Sequence, residues 1–142
     1  MMRVVTDFEG IADADAHLGR PFPLPAAALP LGRWVDVAPC GEGAEVVWNL
    51  DDTRPGAPAR LALYAGATPP PPRALPGPVR DATTDVGGAS AHLRSAPLAE
   101  AEPSLRPVCE LAWEAGGLHL RLTAQGPWAL DDLRDIAASI PA

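Results

Sequence analysis

Lysine is missing altogether. All eleven basic residues of the chain are arginines, set against 18 acidic ones, for a net charge of −7. An acidic chain with no basic run cannot neutralise a phosphate backbone by charge, which excludes sequence-independent nucleic-acid binding as its business. The same deficit argues against an anionic membrane surface. Cysteine is nearly missing too: Cys40 and Cys109 stand alone, with no CxxC spacing. Two thiols without a histidine or carboxylate cluster cannot build a four-ligand zinc centre, so no metal and no cofactor is expected. Cys109 shares an apolar face with Leu111 and Trp113, the setting of an inert buried thiol. A disulfide between Cys40 and Cys109 is the competing reading, and two free thiols in a cytoplasmic setting is the one preferred. Long apolar runs are also lacking. The most apolar stretch, residues 23–31, carries Pro23, Pro25 and Pro30 and is far too short to span a bilayer. The N-terminal MMRVVTDFEG has one arginine, then Asp7 and Glu9 with no apolar core behind them, so it is no signal peptide.

Hydrophobic residues make up 47% of the 142, enough for the core of one domain spanning 1–142. The 18 prolines and 13 glycines imply many turns and little long helix. The clearest local signals lie between Val108 and Ala142. Cys109, Leu111 and Trp113 alternate with Glu110 and Ala112, the period of a half-buried strand. Ala115-Gly116-Gly117 supplies a hairpin turn, after which Leu118, Leu120 and Leu122 alternate with His119, Arg121 and Thr123. From about Ala129 the period lengthens. Leu130, Leu133, Ile136, Ala137 and Ile140 form one helical stripe, and Asp131 and Asp132 meet the positive end of the helix dipole. Leu130, Leu133, Ile136 and Ile140 are therefore expected to be buried against the sheet.

Earlier in the chain, residues 8–19 predict a short helix ending at Gly19, with Asp13 and Asp15 exposed. Residues 21–32 read as an extended segment anchored by Phe22, Leu24, Leu29 and Leu31. Strands are predicted over 33–40, 44–50 and 60–65, with turns or loops at 41–43 and 51–58. Residues 68–78 hold six prolines, four of them consecutive, and read as a semi-rigid connector across the surface. A hairpin about Gly87-Gly88 joins 79–86 to 89–94, and 97–107 is a loop. The fold class is α+β: a single curved antiparallel sheet of about six strands, with a short N-terminal helix and a C-terminal amphipathic helix covering one face.

Chemistry-bearing residues are sparse. The outward faces of the later strands collect Arg60, Tyr64, Ser90, His92, Arg94, His119 and Arg121. Such a face could attract an anion, but strand alternation produces a solvated polar face without any function, and that plainer reading is preferred. Ser90 and His92 lie two apart on one strand, about 6–7 Å, too far for a nucleophile and its base. The stretch around Ser90 also lacks the last glycine of a nucleophile elbow. Asp51-Asp52 and Asp131-Asp132 mark a loop and a helix start rather than a paired-carboxylate cleft. Gly41-Glu42-Gly43 lacks the third glycine of a nucleotide fingerprint, and His17 needs no role.

One resemblance covers roughly residues 8–140. The segment HLGRPFPLPAAALPLG, then Val46-Val47-Trp48, Leu61-Ala62-Leu63-Tyr64, and LAWEAGGLHLRLTAQGPWALDDLRDIAASI resemble a bacterial domain of unknown function. That domain stands at the extracytoplasmic end of anti-sigma-type membrane proteins, and is distantly similar to lipoprotein-carrier and envelope-stress-regulator domains. Trp113, Gly116, Leu118, Ile136, Ala137, Ser139 and Ile140 carry the match. The resemblance implies a curved antiparallel sheet with helices on one face, and it brings no catalytic residue.

The expected function is accordingly a non-enzymatic protein-interaction or ligand-sensing domain. Its partner would be a protein or a small apolar ligand, bound in the cleft between sheet and helices near Trp48, Trp113 and Trp128. The alternative is a small hydrolase or anion-binding enzyme using His92, His119 and Arg121. As given, the chain reads as cytoplasmic and without direct membrane insertion; the alternative is a soluble extracytoplasmic fragment of a longer protein.

Overall fold

The computed structural model describes residues 14–25, 34–49, 60–71, 75, 79–96, 108–125 and 130–140. Seven strands are present: β1 (Trp34–Cys40), β2 (Gly43–Asn49), β3 (Arg60–Gly66), β4 (Arg80–Val86), β5 (Ala89–Ala96), β6 (Val108–Ala115) and β7 (Leu118–Gln125). A helical segment at residues 14–18, α1, precedes them, and α2 (Leu130–Ala138) follows. All strands join one antiparallel sheet in the order β1-β2-β3-β7-β6-β5-β4. The class is thus α+β with an antiparallel sheet, but the strand count is seven rather than about six. Counting by apolar alternation undervalues β4, whose sequence RDATTDV buries only Val86.

The sheet consists of two meanders joined at their inner edges, where β3 pairs β7 from Arg60↔Gln125 to Gly66↔His119. Three of its connections are two-residue hairpins. Gly87-Gly88 and Gly116-Gly117 have positive φ at both central positions, as a type I′ turn requires, and its twist suits the flanking strands. At Gly41-Glu42 the first residue alone is left-handed, with φ 55°, and Gly43 already pairs with Cys40 inside the ladder.

Following the register outward separates the two faces. On the core face lie Val46, Leu63, Leu122, Leu111 and Leu93 in one cross-strand row, and Ala44, Ala65, Leu120 and Trp113 in the next. Against these pack Ala14, Phe22, Leu133, Ile136, Ala137 and Ile140. Leu133 is fully buried, whereas Leu130 is exposed, contrary to expectation. Leu130 opens the helix, and the apolar stripe reaches the sheet only one turn later. Arg134 fastens α2 to the end of β4: its Nε donates to the Asp85 carbonyl at 3.2 Å and its guanidinium pairs with the Asp85 carboxylate at 3.4 Å. Gly19, at φ 80°, closes α1 by donating its N–H to the Asp15 carbonyl at 2.8 Å. Asp15 is not the idle exposed residue the sequence suggested. Its carboxylate accepts the Phe22 N–H at 2.6 Å, which holds the following segment as Phe22 enters the core.

Candidate functional site

The second face of the sheet is where the structure departs from the alternation rule. Its residues should be solvated, yet Ala62, Tyr64, Ala96, Val108, Glu110, Arg121 and Thr123 are all buried there. Topology supplies the reason. The chain leaves β3 in the middle of the sheet and re-enters at β4, its far edge, by way of a proline-rich connector. Its first residues lie on the second face. Tyr64 donates its hydroxyl to the Thr68 carbonyl at 2.7 Å, and Arg121 donates Nη1 to the Pro71 carbonyl at 2.8 Å. Residues 68–71 are therefore held over the second face by Tyr64 and Arg121.

Arg121 is the centre of this arrangement. Besides Pro71 it meets the Glu45 carboxylate on β2 at 3.6 Å, and its guanidinium carbon lies 5.9 Å from the centroid of the Tyr64 ring. Its partners thus come from two strands and the connector, an enclosure suited to a buried guanidinium. One row along, Glu110 on β6 accepts Arg94 Nη1 from β5 at 3.2 Å. Burial pushes the Tyr64 hydroxyl above its ordinary pKa of 10.0, so it stays a donor at neutral pH.

Three side-chain atoms on this face have no hydrogen-bond partner among the described residues: Arg121 Nε, Glu110 Oε2 and Thr123 Oγ1. Each belongs to a residue no more than 5% exposed. They are neighbours. Thr123 and Glu110 are cross-strand partners, and Arg121 is two residues from Thr123 on the same face. A single buried unpaired polar group costs about 1–3 kcal/mol, so three in one patch need a physical reason.

The residues singled out from the sequence do not form one site. Arg121 is buried, which overturns the solvated-face reading for that position. His92 is exposed and its Nε2 sits 3.0 Å from Asp81, while His119 Nδ1 sits 3.1 Å from Glu114. The two imidazoles stand on β5 and β7 with β6 between them, offset by two residues, roughly 12 Å apart. Ser90 is exposed and faces Asp85 across the β4–β5 hairpin, with β6 between it and His119, roughly 10 Å away. Trp48 is half-buried and Trp113 buried, both on the core face, but three strands and four residues separate their rows, roughly 20 Å. They cannot line one cleft. Trp128 lies outside the described residues, as do Leu29, Leu31 and the Asp51-Asp52 pair. No group of three or more histidine, cysteine or carboxylate side chains is placed to hold a metal among the described residues.

Glu45, Glu110 and Thr123 escaped the sequence reading because each sat on the face assigned to solvent. One signal could have found them. In β3 the run RLALYAG is apolar at both parities, the mark of a strand buried on both sides, and its neighbour across the ladder is β7. Comparison with protein-family models, with curated proteins and with solved structures gives no match.

Proposed function

We propose that this chain is a non-enzymatic ligand-sensing domain whose contact surface is the second sheet face around Arg121, beneath the proline-rich connector. The observation that carries this reading is the trio of buried, unpartnered polar atoms on Arg121, Glu110 and Thr123. Such groups need a reason in a folded chain, and completion by a bound group is one. An enzyme at the arginine and histidine face finds no such support: Ser90, His92 and His119 do not converge, and each imidazole is engaged by a carboxylate. A sensor in the manner of the anti-sigma-type extracytoplasmic domains is in keeping with the layout, an antiparallel sheet with helical segments on one face, and a protein partner would then read the ligand-bound state. No helix among the described residues is long and apolar enough to cross a membrane.

The test is fragment binding followed by backbone amide NMR. Polar fragments should perturb Glu45, Tyr64, Glu110, Arg121 and Thr123 together, in a saturable way. Perturbation confined to the core face around Trp48 or Trp113 would defeat the assignment and return the site to an apolar cleft.

A further inference from the structure

Independently of that site, we infer that residues 68–71 are themselves a ligand, one turn of polyproline II helix presented on the sheet to a partner protein with an aromatic-lined, basic-flanked groove. The conformation follows from the sequence. The rings of Pro69, Pro70 and Pro71 fix φ at about −65°, and each of residues 68–71 precedes a proline, which drives its ψ to the extended range. Such a helix repeats every three residues and makes no hydrogen bonds of its own. Residues 69–71 also lack an N–H, so they join their surroundings only through carbonyls and rings.

The anchoring uses one edge of this turn. Tyr64 holds the Thr68 carbonyl at 2.7 Å and Arg121 holds the Pro71 carbonyl at 2.8 Å. These two residues are three apart, so their carbonyls share the edge that faces the sheet. The carbonyls of Pro69 and Pro70 are turned roughly 120° to either side of it. Pro69 and Pro71 are exposed and Pro70 is half-buried. A stiff, exposed proline turn loses little conformational freedom on docking, and aromatic-lined grooves are built to take one. Charge narrows the kind of groove. Pro71 lies beside the β1–β2 turn, where a Cβ on Gly41 would come within 3.3 Å of its ring. The next residue of that turn, Glu42, is exposed, and the chain carries −7 overall. An acidic groove would be repelled here, and a basic flank attracted.

The experiment adds the intact chain to two isotope-labelled probes: a WW domain with an arginine or lysine beside its groove, and the same domain with that residue changed to glutamate. Amide shifts of the probe are read, because residues 69–71 carry no amide proton. The basic probe is expected to saturate, with shifts confined to its groove, and the acidic one to bind about fivefold more weakly. Pro69→Ala and Pro70→Ala should each weaken the basic probe about fivefold and Glu42→Arg about threefold, while the amide spectra of β6 and β7 stay as in the wild type. A peptide of residues 66–73 should bind no more tightly than the intact chain. The inference is overturned if the basic probe fails to bind at about 1 mM chain, or if the acidic probe binds as tightly. It is equally overturned if the peptide binds where the intact chain does not, or if the proline variants bind as the wild type does. Each of these failures leaves the site around Arg121 standing, since fragment binding tests that site separately.

Discussion

The Arg121 guanidinium donates to the carbonyl of Pro71 at 2.8 Å, across fifty residues of sequence. A strand residue in the middle of the sheet thus holds down the connector that buries it. Cover and covered face depend on each other, and the pair sets up the first expectation.

Arg121→Ala should destabilise the protein by about 2–4 kcal/mol in urea melts. It removes the ion pair between Arg121 and Glu45 and the bond from Arg121 to the Pro71 carbonyl. Tyr64→Phe, which removes only the bond to Thr68, should cost about 1 kcal/mol. His92→Gln and His119→Gln, on the exposed rim, should each stay within about 0.5 kcal/mol. An Arg121→Ala loss no larger than that of the histidine variants would mean that the connector is not held from below.

What the sequence showed and what it hid follow one line. Elements defined by contacts close in sequence were legible: the hairpins at Gly87-Gly88 and Gly116-Gly117, the helix start at Asp131-Asp132, and the alternation of Leu118, Leu120 and Leu122. The pairing of β3 with β7 joins segments about sixty residues apart, and no local pattern announces it. The cover over Arg121 depends on that pairing, which sets Arg121 beside the end of β3 from which residues 68–71 leave. Period-two alternation reports that a face is different; it does not report what lies on top of it. Arg121, Glu110 and Thr123 were hidden for that reason, while Trp48 and Trp113 drew notice by residue type and sit in separate parts of the core face.

The closing helix gives a second expectation. Leu133 is fully buried against the sheet and Leu130 is exposed at the helix start. Leu133→Ala should cost about 2–5 kcal/mol, and Leu130→Ala no more than about 0.5 kcal/mol. Equal losses at the two positions would place the helix in a different rotation on the core.

A third expectation concerns two glycines that face each other across β2 and β3. A Cβ at Gly43 would overlap the Ala65 carbonyl, and a Cβ at Gly66 would overlap the Tyr64 hydroxyl. Gly66→Ala should displace Tyr64 from Thr68 and cost about 1–3 kcal/mol. Gly88→Ala meets no atom within 4 Å, so its cost is the strain of φ 90° alone, about 1 kcal/mol. Melts that rank Gly88→Ala as the more damaging would contradict the close approach at Gly66.

The absence of lysine makes the alkaline range unusually clean to read. With no lysine in the sequence, the titrations of Cys109 and of the single tyrosine, Tyr64, stand out there. Both cysteines are free, and they lie on opposite faces of the sheet, on β1 and β6, four strands and five residues or roughly 25 Å apart, so no disulfide can join them. Burial, and then the neighbouring Glu110, push the Cys109 thiol above its ordinary 9.0; burial does the same for the Tyr64 hydroxyl above 10.0. The folded state therefore holds both protons more tightly than the unfolded chain does. The stability from this difference is fully present below pH 9.0 and is lost as the pH rises through the two folded-state values. Urea melts from pH 8 to pH 11 should show stability falling from about pH 9 upward. Cys109→Ala should remove the earlier part of the fall and Tyr64→Phe the later part. Alkylation at pH 8 should label Cys40 ahead of Cys109, because the thiolate is the reactive form and burial suppresses it at Cys109. A stability profile flat across that range, or Cys109 labelled first, would show that neither group is buried as the sheet places it.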